Sequence, residues 1–221
     1  MKKILVIGIK SKIGKLFNDI YKNNFHIYGT TSKKTDDLNN NIFHLDLNSV
    51  KNIDNFIEKV GNIKFDGVIY LPAIYQIDNI DNIDAMAEQL RINVLNIYHL
   101  TNKLNLNINS KNIFFTDGGT KIPKNGYFSY TLSKDILKSL IISLAVKNKE
   151  HIYIGFDLGP IITDMAGEEE QKNFYNKSLL QIKSPAKGLV SFIKYILEEN
   201  NFYSTGSIID FTGGTYLIRN S

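Results

Sequence analysis

The stretch Lys3-Ile4-Leu5-Val6-Ile7-Gly8-Ile9-Lys10-Ser11-Lys12-Ile13-Gly14 decides the fold. From Lys3 to Gly8 it is a short, continuous apolar run, the pattern of a strand buried on both faces. A glycine-bounded turn follows, and Leu16, Phe17 and Ile20 then give a helical period to about Tyr21. A strand, a tight glycine turn and a helix open a dinucleotide-binding unit. Glycines let the backbone approach a pyrophosphate, and a helix N-terminus favours its negative charge. The spacing of Gly8 and Gly14 differs from the GxGxxG of the common fingerprint.

Working outward, residues 25–29 read as a second strand ending in Thr30-Thr31-Ser32-Lys33-Lys34. An acidic residue at such a strand end binds a ribose 2′-hydroxyl and favours NAD. No acid occurs here before Asp36, and hydroxyls with two lysines suit a 2′-phosphate. Lys12 in the glycine turn adds positive charge. The expectation is NADP(H) over NAD(H); the alternative is that Lys33 and Lys34 are solvated loop charges.

Residues 41–47 form a third short strand ending in Asp46, and Ile53, Phe56, Ile57 and Val60 mark a helix face. Residues 65–73 are a fourth strand closed by Pro72, and 74–84 a loop. Residues 86–106 read as one helix, with Asn93 inside it. Asn is a poor helix-interior residue, so its place needs a chemical reason or a local kink. Residues 113–116 are a fifth strand running into Asp117-Gly118-Gly119, and a helix runs from Tyr127 to about Lys147. Residues 152–156 make a sixth strand, 166–183 a charged segment, 186–198 a helix and 206–211 the last strand.

Strands alternate with helices throughout. This predicts an α/β chain: a single-domain, Rossmann-type, doubly wound parallel sheet with helices on both faces, spanning residues 1–221. Ligands of such sheets bind beyond the carboxyl ends of the strands. Residues 8–14, 30–34, Asp46, 71–73, Asp117 and 159–163 all fall at such ends.

Composition narrows the classes. The chain is 43% hydrophobic and 22% charged, ordinary for a globular domain with a substantial core. The net charge of +4 comes from scattered lysines and gives no nucleic-acid footprint. There is no Cys, and His26, His44, His99 and His151 lie far apart, so no metal site is expected. The opening run is too short for a signal peptide, and no apolar stretch approaches the roughly 20 residues of a membrane span. The expected location is cytoplasmic.

The chemistry points to Tyr130 and Lys134. Four residues apart on a helix, they share a face. Tyr130 is the one tyrosine of 12 followed four residues later by Lys. An ammonium within a few ångströms favours a phenolate, so the pair can act as general acid/base on a carbonyl or alcohol.

Over essentially its whole length the chain resembles the short-chain dehydrogenase/reductase family. Gly8, Ile13 and Gly14 match that family's TGxxxGIG turn, with Lys12 in place of its middle glycine, a feature of NADP-preferring members. Asp46 matches the acid placed beside the adenine ring. Leu71-Pro72-Ala73 stands where the family has Asn-Ala-Gly. Asn93 matches a helix asparagine that holds a water in a proton relay. Residues 158–165 resemble the PGxxxTDM segment, with Leu158 replacing Pro.

The resemblance implies a cofactor site of Gly8, Lys10, Ser11, Lys12, Ile13, Gly14, Thr31, Ser32, Lys33, Asp46, Leu47, Leu71, Pro72, Ala73, Gly159, Ile161 and Thr163, with Tyr130 and Lys134. It implies catalysis by Tyr130, Lys134, Asn93 and Asp117. The family's serine lies about 13 residues before the tyrosine, where this chain has Asp117 beside Thr116. An Asp there is similar to pteridine reductases; the alternative is that Asp117 caps a turn before Gly118-Gly119. The implied partners are a small carbonyl or alcohol substrate and further copies of the chain, as homodimer or homotetramer, with residues 166–183 as a substrate lid. The altered glycine turn and the missing serine keep a second reading open, a non-catalytic dinucleotide-binding sensor or scaffold. A third is an oligomerisation subunit of a larger reductase.

Overall fold

Strand β1 (Lys3–Ile7) faces two core layers at once: Ile4 and Val6 point into one, Leu5 and Ile7 into the other, all essentially without solvent contact. That is the physical content of its unbroken apolar run. The computed structural model describes residues 1–78, 82–121, 125–162 and 167–218. The strands β1, β2 (His26–Thr31), β3 (Ile42–His44), β4 (Phe65–Tyr70), β5 (Leu106–Asp117), β6 (Ile152–Leu158) and β7 (Ser207–Phe211) form one parallel sheet. Their order is β3-β2-β1-β4-β5-β6-β7, so the order in which strands are added reverses between β1 and β4.

Helix α1 (Lys12–Tyr21) and helix α7 (Pro185–Glu198) cover one face, with Phe17, Tyr21, Leu189, Ile193 and Ile196 inward. Helices α2 (Val50–Val60), α4 (Asn96–Lys103) and α5 (Phe128–Lys147) cover the other, through Ile53, Phe56, Leu100, Ile141 and Leu144. Helices α3 (Ile83–Leu90), α6 (Glu168–Tyr175) and α8 (Thr215–Ile218) complete the described α-helices. No helix among the described residues is long and apolar enough to cross a membrane.

The expected helix over 86–106 runs as one right-handed helical stretch from Ile83 to Lys103, with a π turn inside it. Between α3 and α4 lies a π turn, Arg91–Leu95, in which Asn96 N donates to Arg91 O, five residues back. Asn93 stands at its centre. Its side chain is wholly buried and bonds backbone outside the helix: Oδ1 accepts from Ile74 N at 2.8 Å and Nδ2 donates to Ile74 O at 3.1 Å. The extra residue in the turn lets it reach the loop after β4.

Strand β5 begins at Leu106, seven residues before the expected start. Its register on β4 shifts between Phe65 and Gly67, and Asn109 has φ 62°. The polar run Asn107-Ile108-Asn109-Ser110-Lys111-Asn112 lacks the apolar signature of a central strand. The charged segment 166–183 contains α6, whose first turn carries Glu168, Glu169 and Glu170, the sign that a helix N-terminus favours.

Candidate active site

The glycine turn is built for close approach. Gly8 has φ +80°, a conformation that costs glycine least. Ser11 N donates to Gly8 O at 2.9 Å, and Ile9 N to Thr30 O at 3.1 Å, tying the turn to the end of β2. Thr30, 2% exposed, also accepts Gly8 N on Oγ1 at 3.1 Å. A Cβ on Gly14 would lie 2.8 Å from Gly8 O and Ile9 Cα, so only glycine lets α1 start against the turn. Ser11 caps α1 by accepting Gly14 N at 3.1 Å, and the first turn carries no acid. A helix start free of acids, pressed against a turn bounded by two glycines, fits a phosphate-bearing dinucleotide.

The end of β2 offers no free carboxylate in its first acid. Asp36, the first acid after β2, is already engaged: Oδ1 accepts His44 N at 2.7 Å and Oδ2 accepts Lys59 Nζ at 2.6 Å. The His44 amide, then Lys59, hold its carboxyl below the usual range. Ser32, Lys33 and Lys34 are exposed beside it. Lys12 reaches across to Glu170 of α6 at 3.0 Å, an exposed pair that contributes little to stability. Asp46 is exposed at the end of β3, where Oδ1 accepts Asn48 N.

Tyr130, Lys134 and Asp117 meet at the carboxyl end of β5. The Tyr130 hydroxyl donates to Asp117 Oδ2 at 2.8 Å, and Asp117 Oδ1 accepts Gly119 N at 2.6 Å. Asp117 therefore caps its own turn and engages the tyrosine together, one oxygen for each. Thr116 is turned away: its hydroxyl donates to Phe156 O and Asp157 Oδ1. Lys134, 4% exposed, donates to Phe115 O at 2.9 Å, with Nζ 5.8 Å from the Tyr130 ring centroid.

One expectation is corrected here. The Tyr130 phenol is not drawn below its ordinary range. Burial first, then the Asp117 charge and hydrogen bond, push the phenol well above its ordinary range, so it holds its proton. Burial likewise pushes Lys134 down to about 8, opposed by Asp117. Both Asn93 amide hydrogens are engaged, Nδ2 donating to Ile74 O and to Ser133 Oγ at 3.0 Å.

A cleft of about 410 Å³ opens over this pair. Leu71, Ala73, Phe115, Asp117, Tyr130, Lys134 and Gly159 line it. Pro72 lies beneath Gly8, 3.4 Å from where a Cβ would be. Other expected cofactor residues fall elsewhere. Lys10 lines a separate groove beside α1 with Lys15 and Asn41. Ile13 packs on the core under α1. The Leu47 side chain is core, and its carbonyl accepts Asn96 Nδ2. Ile161 lines a neighbouring apolar cavity with Phe174 and Leu180. Thr163 lies outside the described residues.

Sequence reasoning missed Tyr75, whose ring meets Tyr130 edge-on at 4.7 Å and stacks on Tyr127 at 4.5 Å. It also missed Lys138, although its place one helical turn beyond Lys134 puts it on the same face.

No family model matches the chain, and no curated protein matches its sequence. Solved structures do. A short-chain dehydrogenase family protein from Francisella tularensis superposes with a TM-score of 0.83 at 21% identity, over 98% of this chain and 99% of that one. A 4-hydroxyisoleucine dehydrogenase complexed with NADH gives 0.82 at 17% identity, over 98% and 99%. A short-chain dehydrogenase from Burkholderia cenocepacia in complex with NADP gives 0.82 at 15% identity, over 97% and 98%. The chain therefore has the Rossmann-type α/β fold of the short-chain dehydrogenases/reductases.

Proposed function

We propose that this chain is a divergent short-chain dehydrogenase/reductase, an NADP(H)-dependent oxidoreductase interconverting a carbonyl and an alcohol. One observation carries the reading. Tyr130 and Lys134 share a face of α5 and line one cleft with Asp117, at the sheet edge where the glycine turn also ends. The dinucleotide, when bound, supplies or accepts the hydride.

The chain's own groups handle the proton and the positioning. A phenol kept neutral by burial and by Asp117 is a proton donor in waiting. In the reducing direction the Tyr130 O–H passes its proton to the forming alkoxide. The buried Lys134 ammonium then stabilises the phenolate left behind. Asp117, rather than Thr116, orients the substrate oxygen beside Tyr130. The Gly8–Gly14 turn holds the pyrophosphate, and Lys12, Lys33 and Ser32 favour a 2′-phosphate. Residues 1–221 act as a single cofactor-binding unit, residues 166–183 as its lid, and the chain assembles as a homodimer or homotetramer.

The test is NADPH and NADH titration of the purified chain, followed by cofactor oxidation over a panel of aldehydes and ketones. Turnover with NADPH preferred is the expected result. A second reading, a non-catalytic NADP(H) sensor, draws on the same hydrogen bond, because Asp117 occupies the Tyr130 proton. Tight NADPH binding without turnover across the panel would favour it.

A further inference from the structure

Behind the Asp117–Tyr130 contact lies a charge pair, a buried Asp157 and a half-buried Lys138, that the proposed chemistry does not use. Asp157, on β6, is 4% exposed and sits beside Thr116 in the β5–β6 register, one step inside Asp117. Its Oδ1 accepts Thr116 Oγ1 at 2.6 Å and lies 3.1 Å from Lys138 Nζ. Lys121 Nζ stands 4.0 Å from its other oxygen. Burying such a pair costs desolvation, and apolar residues of similar volume commonly serve a core as well. Its retention asks for a reason other than stability.

The contacts of Lys138 supply one. Its ammonium donates to Thr120 Oγ1 at 2.8 Å and to the Asp117 carbonyl at 3.4 Å. The Thr120 hydroxyl donates in turn to the same carbonyl at 3.0 Å. At the far end of this short 3₁₀ turn, Gly118–Lys121, Lys121 is held by Asp210 at 2.8 Å and lies over the Tyr216 ring. The turn is thus fastened at both ends. Its geometry sets the carboxylate, because Asp117 Oδ1 rests on the Gly119 amide and leaves Oδ2 for the tyrosine.

We propose that Lys138 and Asp157 are positioning residues. Their ion pair fixes the turn after β5 and so holds the Asp117 carboxylate against the Tyr130 hydroxyl. The consequence for turnover rests on the oxidoreductase reading; the geometric claim does not.

The test reads Tyr130 itself. Phenolate absorbance is titrated in the full chain, and the difference from the matching Tyr130→Phe variant isolates this residue. The double substitution Lys138→Met with Asp157→Asn removes both charges and leaves no buried carboxylate unpaired. Once the carboxylate is free to swing away, the ionisation constant of Tyr130 rises roughly tenfold or more. In parallel, kcat falls roughly tenfold or more while NADPH affinity holds.

A folded double variant whose Tyr130 titrates as in the parent overturns the proposal, even if kcat falls. If the double variant does not fold, Thr120→Val removes the hydroxyl through which Lys138 and the Asp117 carbonyl are both tied to the turn, and the same shift or its absence decides. If the parent turns over no carbonyl compound yet the titration shift occurs, the positioning role stands and only the oxidoreductase reading falls.

Discussion

The Tyr130 hydroxyl donates to Asp117 Oδ2 at 2.8 Å, so a carboxylate holds the proton that the proposed reaction must release. Charge and hydrogen bond both make the phenol harder to ionise. Asp117→Asn removes the charge. We expect Tyr130 to ionise at lower pH in that variant, read as phenolate absorbance against Tyr130→Phe. An unchanged titration would mean that burial alone sets the phenol.

Lys134 is buried and pushed down to about 8 from an ordinary value near 10.5. The unfolded chain therefore binds more protons than the folded one between those two values, and stability rises with pH across that window. Integrated over the window, the effect is about 3 kcal/mol. In Lys134→Met this rise disappears. Denaturant unfolding of both proteins at several pH values from 7 to 10.5 measures it, and parallel curves would count against a buried, depressed lysine.

On the proposed function, charge at the end of β2 sets cofactor choice. Lys33→Glu combined with Lys34→Glu should weaken NADPH binding by roughly tenfold or more, the scale of one or two charge-assisted contacts, and leave NADH nearly unaffected. Fluorescence titration with each cofactor checks this. Equal losses for both would place the lysines away from the 2′-phosphate.

Asn93 joins the loop after β4 to α5 through three hydrogen bonds from a fully buried side chain. Asn93→Leu strands the Ile74 amide and should cost about 2–3 kcal/mol in unfolding free energy. A cost near zero would show that the π turn survives without it.

Much of this was legible in the sequence, and the reasons differ by residue. Ile4 to Ile7 announced a strand buried on both faces because every residue of it must be apolar. Tyr130 and Lys134 were found through helical spacing, which needs no tertiary knowledge. Asn93 was marked as out of place in a helix, but not what it bonds, because Ile74 lies in a loop without periodicity. The start of β5 was hidden, since residues 107–112 are mostly polar and pair through a register shift. Lys138 read as one more surface lysine in a lysine-rich chain. The buried Asp157 opposite it is what the sequence does not show, and it gives Lys138 its proposed task.

The most direct measurement compares NADPH oxidation by the parent chain and by Tyr130→Phe over the same carbonyl panel, with NADPH binding followed in both. The account predicts turnover in the parent, a loss on the order of 10²–10⁴ in the variant, and equal cofactor affinity. A variant that keeps the parent's rate would contradict it.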